Sequence, residues 1–169
     1  MHWGDLDYLL LDLPPGTGDI AMSLGQKVPT AEVLVVTTPQ QAASEVAERA
    51  GTMAALMNQK IIGVVENMSW LAFTAPDTGK EYRIDLFGSG GGQEAADALS
   101  KRLGTEVPLL AQVPMDIELR KGGDEGDPIV TAHPESPAAQ AIVELAKNLD
   151  SRPRGLSGMH LGVSPTNNA

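Results

Sequence analysis

Leu6-Asp7-Tyr8-Leu9-Leu10-Leu11-Asp12-Leu13, halted by Pro14-Pro15-Gly16, is the stretch on which the reading of this chain turns. A short apolar run without polar alternation reads as a strand buried on both faces, and such strands stand in the middle of parallel sheets. Further strands are expected downstream, at Ala31 to Thr38 (ended by Pro39), at Lys60 to Asn67 and at Pro108 to Pro114. Asp19 is expected to cap a short helix through Gln26. Gln41 to Asn58 sets Ala43, Val46, Ala47, Ala50, Met53, Ala54 and Met57 at helical spacing, with Glu45, Glu48 and Arg49 on the other side. Helices are also expected from about Gln93 to Leu103 and from Ser136 to Leu149, the latter with Ser136 as N-cap and Pro137 at its first position. Repeated βα units imply an α/β fold, a parallel sheet with right-handed crossovers and helices on both faces.

The insertion from Met68 to Asp85 carries turn formers at Pro76-Asp77 and Thr78-Gly79 between short apolar pieces, the pattern of a hairpin. Residues 1–150 read as one domain, incomplete at its amino end, because nothing upstream supplies the cover and neighbours that the Leu6–Leu13 strand requires. Residues 151–169, rich in Arg, Pro, Gly, Ser and Asn, are expected to form a mobile tail.

Composition narrows the chemistry. A formal charge of -10 over 169 residues repels phosphate backbones and anionic lipid, so neither nucleic acid nor a membrane surface is the expected partner. No run approaches the roughly 20 apolar residues of a membrane span, and Met1-His2-Trp3-Gly4-Asp5 is unlike a signal peptide, so a cytoplasmic location is expected. With no cysteine, the chain offers neither disulfides nor thiolate ligands, and His2, His133 and His160 lie too far apart in sequence to form a helical His pair.

In open parallel sheets ligands bind beyond the carboxyl ends of the strands. Asp12 ends the first run there and Gly16 follows four residues later; such a carboxylate can hold a Mg²⁺ water and such a bare amide can sense a γ-phosphate. The same residues also read as a turn carboxylate and a stiff turn. Gly88, Gly90, Gly91 and Gly92 precede a helix as a phosphate cradle would. No Lys-Ser or Lys-Thr follows them, which favours a structural helix-entry loop.

Taken together, Asp12-Leu13-Pro14-Pro15-Gly16-Thr17-Gly18-Asp19, Val35-Val36-Thr37-Thr38-Pro39-Gln40, Val64-Val65-Glu66-Asn67-Met68-Ser69 and Phe87-Gly88-Ser89-Gly90-Gly91-Gly92 resemble, in order and spacing, the Mrp/ApbC family of iron-sulfur carrier ATPases. Val113-Pro114-Met115-Asp116, the Gly122 to Pro128 segment and Ser136-Pro137-Ala138-Ala139 extend the match. The resemblance implies a MinD-like P-loop fold working as a homodimer, with ATP near the subunit interface and iron-sulfur clients or scaffold proteins as partners. It gives Asp12 the role of the Mg²⁺-associated acid, Gly16 that of the γ-phosphate sensor and Asn67 that of the adenine reader, with Pro114 and Asp116 in the loop over the base. Two departures stand out: the family's phosphate-binding loop and its Cys-x-x-Cys pair are both absent from these residues. In the implied fold, the strand leading to that loop lies between the Leu9 and Val33 strands, so a gap in the sheet is expected. A non-catalytic interaction or regulatory half-domain is the alternative; a membrane-positioning ATPase is weaker, since the segment from Ser151 shows no apolar-faced helix.

Overall fold

The computed structural model describes residues 4–14 and 18–152. The elements run α1 (Asp19–Lys27), β1 (Val33–Thr37), α2 (Gln41–Leu56), β2 (Ile61–Thr74), β3 (Glu81–Ile84), α3 (Gly91–Leu103), β4 (Leu109–Met115), α4 (Ile117–Glu125), α5 (Ile129–Ala132) and α6 (Pro137–Asp150). β2 is central. It pairs in parallel with β1, Val35 opposite Val64 and Thr37 opposite Glu66, and in parallel with β4, Glu66 opposite Gln112 and Asn67 opposite Val113.

Alternation along the strands supplies two cores. On one face Val35 and Val64 pack with Ala47 and Ala54 of α2 and Ala95, Ala96 and Leu99 of α3. On the other, Val65 and Val113 pack with Ile129 of α5 and Ala138 and Ala139 of α6. Helices thus cover both faces of a mostly parallel sheet, as expected. Small residues at the contact points let α2 and α3 approach closely; a Cβ on Gly51 would lie 2.7 Å from Leu99 Cδ2.

The inserted hairpin is present as well. β2 changes partner midway, and its distal half pairs antiparallel with β3 from Leu71–Ile84 to Thr74–Glu81. The change happens at an irregularity between Asn67 and Leu71 where Met68 takes a left-handed conformation, φ 55°. The irregularity breaks the ladder and re-aims the distal half of the strand.

Three expectations need correction. Residues 6–13 form no strand, and Leu10 is 89% exposed. A cleft of about 560 Å³ separates Tyr8 to Leu13 from β1, and its opposite wall includes Val33, Leu34 and Val36. A strand exists by virtue of a neighbour's ladder, and this cleft holds the run away from the open edge of β1. Among the described residues β1 is the edge of the sheet, its free side facing this cleft, and the run expected as a strand does not form one. It is held instead at Tyr8, whose hydroxyl donates to Asp150 at the end of α6. Second, Asp19 is the first residue of α1 rather than its cap; the N-cap is Gly18, and no side chain caps that helix. Third, Asp116, which the resemblance places in a loop, is the N-cap of α4, a helix that the sequence pattern did not suggest and that takes in Gly122 to Glu125. The expected tail lies, from residue 153 onward, outside the described residues.

Candidate functional site

The carboxyl ends of β1 and β4 flank the middle of β2, where its parallel pairing gives way to the hairpin, and Asn67 stands between two openings there. One, of about 390 Å³, is lined by Asn67, Met68 and Leu71 from β2 and by Pro114, Met115 and Asp116. The other, of about 540 Å³, includes Asn67 together with Leu13, Pro14, Thr37 and Thr38. Three of the five expected site residues, Asn67, Pro114 and Asp116, therefore share one cavity. Gly16 lies outside the described residues.

Asp12 is placed apart from them. Its exposed side chain lines the cleft beside β1 and neither of Asn67's openings, although Leu13 and Pro14, next in the chain, reach the larger one. It makes no hydrogen bond or ion pair among the described residues.

Local chemistry sets the orientation of each group. Asn67 Oδ1 accepts from the Met68 amide at 2.8 Å, which holds the side chain against its own turn. No bond from its Nδ2 is found among the described residues, so that donor is available to a ligand. Asp116 Oδ1 accepts from the amides of Glu118 at 2.8 Å and Leu119 at 3.3 Å, the signature of an N-cap on α4. One carboxylate oxygen is thus committed to the helix.

The glycine-rich loop before α3 proves structural, for a reason invisible in its own residues. Glu66, 1% exposed, sends Oε2 to the Gly92 amide at 2.7 Å and Oε1 to the Gln112 side-chain amide at 2.8 Å. The first turn of a helix is an anion site, with orphan N–H groups and the positive end of the dipole. Here the protein's own carboxylate fills it. The glycines permit the approach: a Cβ on Gly92 would lie 2.7 Å from Glu66 Cβ, and one on Gly91 would lie 2.4 Å from the Pro39 carbonyl oxygen. Buried Ser44 of α2 completes the clamp by donating to the Gly91 carbonyl at 2.8 Å. Sequence reasoning passed over Glu66; a lone Glu among valines before a strand-end Asn was the available signal, since a charge there must be paired.

The aromatic residues of the insertion are occupied within it. Phe73 and Tyr82 stack at 5.4 Å across the hairpin and the Arg83 guanidinium lies 4.1 Å over Trp70. Among the described residues no cluster of three or more His, Cys, Asp or Glu side chains is placed to hold a metal.

Residues 1–150 match the family described as ParA, NUBPL iron-transfer P-loop NTPase. The chain is 54% identical over 166 residues to a protein of Mycobacterium leprae (strain TN) called iron-sulfur cluster carrier protein, a match spanning 98% of this chain and 42% of that one. A Deinococcus radiodurans protein of the same name is 49% identical over 147 residues, spanning 87% of this chain and 39% of its own length. The chain therefore spans about two fifths of the length of these curated relatives. Among solved structures, the nucleotide-binding protein of Archaeoglobus fulgidus in complex with ADP matches with a TM-score of 0.55 and 38% identity over 74% of this chain and 47% of that chain. The Pyrococcus furiosus cell division ATPase MinD matches with a TM-score of 0.52 and 28% identity over 70% of this chain and 42% of that chain.

Proposed function

Because this chain belongs to the Mrp/ApbC family of iron-sulfur carrier P-loop ATPases, we propose that the natural polypeptide carrying it binds and hydrolyses ATP as a homodimer. The rearrangement driven by ATP would load or release an iron-sulfur cluster, or engage a client or scaffold protein of that pathway. The observation that carries the reading is the convergence of Asn67, Pro114 and Asp116 on one cavity at the strand ends.

In this proposal the base enters that cavity. Asn67 donates from Nδ2 to adenine N7, and Oδ1, which has a second lone pair beside the Met68 amide, accepts from the N6 amino group. Met68 and Leu71 supply apolar wall on one side and Pro114 on the other. The cleft beside β1 is where the strand that leads to the phosphate-binding loop would lie.

Asp12 fits the part of a Mg²⁺ ligand acting through water. A hard, solvated carboxylate without a partner among the described residues is suited to an ion that keeps most of its waters and takes phosphate oxygens. Magnesium supplies charge neutralisation at the phosphates when bound; Asp12 and Gly16 would couple its presence to the Pro14-Pro15 segment. The cluster is cargo. No residue of this chain is a thiolate, so soft ligands would come from elsewhere in the natural polypeptide or from the client.

No helix among the described residues is long and apolar enough to cross a membrane; a cytoplasmic location is part of the proposal. The test is ATP binding by the natural polypeptide, purified anaerobically. Asn67→Ala should weaken ATP about tenfold, the scale of one lost base contact, and Asp12→Ala should abolish the Mg²⁺ dependence of binding. A polypeptide that takes up no ATP, or whose nucleotide response survives Asp12→Ala, would overturn the reading.

A further inference from the structure

The buried Glu66 has no part in the function proposed above, yet it links the two strands, β2 and β4, that carry Asn67 and Pro114 to the base cavity. We propose that Glu66 is the positioning residue of that cavity, setting preference for adenine by fixing Asn67 relative to the Pro114–Asp116 segment. The inference rests on the reading of Asn67 as the base contact.

Four observations place it there. Glu66 and Gln112 face each other across the parallel ladder of β2 and β4, and the 2.8 Å bond between their side chains ties the two strands just before each cavity wall begins. Asn67 follows Glu66 directly, and Pro114 follows Gln112 by two. The Glu66 carbonyl accepts from the hydroxyl of buried Ser69 at 2.9 Å, closing the tight step through left-handed Met68 that aims Asn67. The Gly92 amide, the third partner, begins the helix that follows the hairpin insertion. One carboxylate on β2, just before the insertion leaves the sheet, therefore reaches both the first turn of the helix that follows the insertion and the strand carrying the opposite wall.

Two donors converge on Glu66; its replacement by glutamine preserves shape but removes the charge that strengthens both bonds, and the Gln112 amide must turn over to keep its own. Exchanging the pair restores the match. In Glu66→Gln with Gln112→Glu, the amide oxygen introduced at position 66 can accept from Gly92, and the amide nitrogen there can donate to the carboxylate introduced at position 112. A role in base selection then predicts rescue.

The experiment measures ATP and GTP affinity by calorimetry on the natural polypeptide, with melting temperature followed in parallel. The original protein should prefer ATP, and Asn67→Ala should remove that preference. Glu66→Gln should lower the ATP-to-GTP ratio about tenfold, and the double exchange should return it to within about threefold of the original. If Glu66→Gln does not fold, Gln112→Ala, at an exposed position, serves instead, with about a threefold loss of the ratio expected. An unchanged ratio in Glu66→Gln or in Gln112→Ala, alongside a collapsed one in Asn67→Ala, would reduce Glu66 to a structural residue and leave the base-contact reading standing. A ratio unaffected by Asn67→Ala would remove the reading and the proposal together.

Discussion

A carboxylate at 1% exposure is tolerable only when its partners replace the water it has lost, and Glu66 has two hydrogen-bond donors plus the field of a helix terminus. Removing such a group strands the donors that faced it. Glu66→Ala is therefore expected to destabilise the protein by about 3 kcal/mol, the range for breaking a buried charged contact. Chemical denaturation would read this as a lower midpoint at unchanged slope. Gly92 tests the same contact from the other side. A methyl at Gly92 must push against Glu66 Cβ and Leu109, so Gly92→Ala should cost about 1–3 kcal/mol despite the better helix propensity of alanine. A stabilised Gly92→Ala variant would show that the helix entry is looser than described.

Among the elements, α4 and α6 are begun by side-chain caps, Asp116 and Ser136, while α3 is begun by a long-range carboxylate. The difference predicts different behaviour. Asp116→Ala should cost about 1 kcal/mol of stability and Asp116→Asn much less, since an amide oxygen caps almost as well. If both substitutions weaken ATP binding equally while only the first lowers stability, then the charge of Asp116 serves the nucleotide and its capping oxygen the helix. Ser136 was legible as a cap because Pro137 beside it marks a first helical turn; its hydroxyl accepts from the Ala139 amide at 3.1 Å. The resemblance alone places Asp116 in a loop; the helix it caps contains Gly122 and Gly123, poor helix formers that tertiary contact overrides. Packing requires the glycine at position 122: a Cβ there would meet the Asp127 carbonyl oxygen at 2.2 Å.

Across the whole molecule, the side of β1 away from β2 opens onto a cleft. Leu9, Leu11, Leu13 and Val36 remain exposed around it. An apolar wall of this extent in water favours association, so these 169 residues alone should bind a hydrophobic dye and melt over a broad range or aggregate. A sharp, reversible, cooperative transition of the isolated monomer would contradict this. With a sequence pI near 4.6, solubility of the isolated chain should also pass through a minimum close to that pH, where self-repulsion vanishes. Light scattering from about pH 4 to about pH 7 measures it directly.

The layered βα architecture, the spans of α2, α3 and α6, the hairpin and the place of Pro114 near the end of its strand were determined by sequence, because each rests on periodicity or turn chemistry within a few residues, whereas α4, α5 and the run of β2 past Asn67 to Thr74 were not. Whether Leu6 to Leu13 forms a strand was decided only in three dimensions, since pairing needs two segments within hydrogen-bonding reach and a cleft keeps this one from the open edge of β1. The occupation of the α3 terminus by Glu66, 26 residues away, was likewise beyond local reading. Apolar runs declare themselves to any neighbour, whereas a hydrogen bond names its partner only once the fold has brought the two groups within about 3 Å of each other.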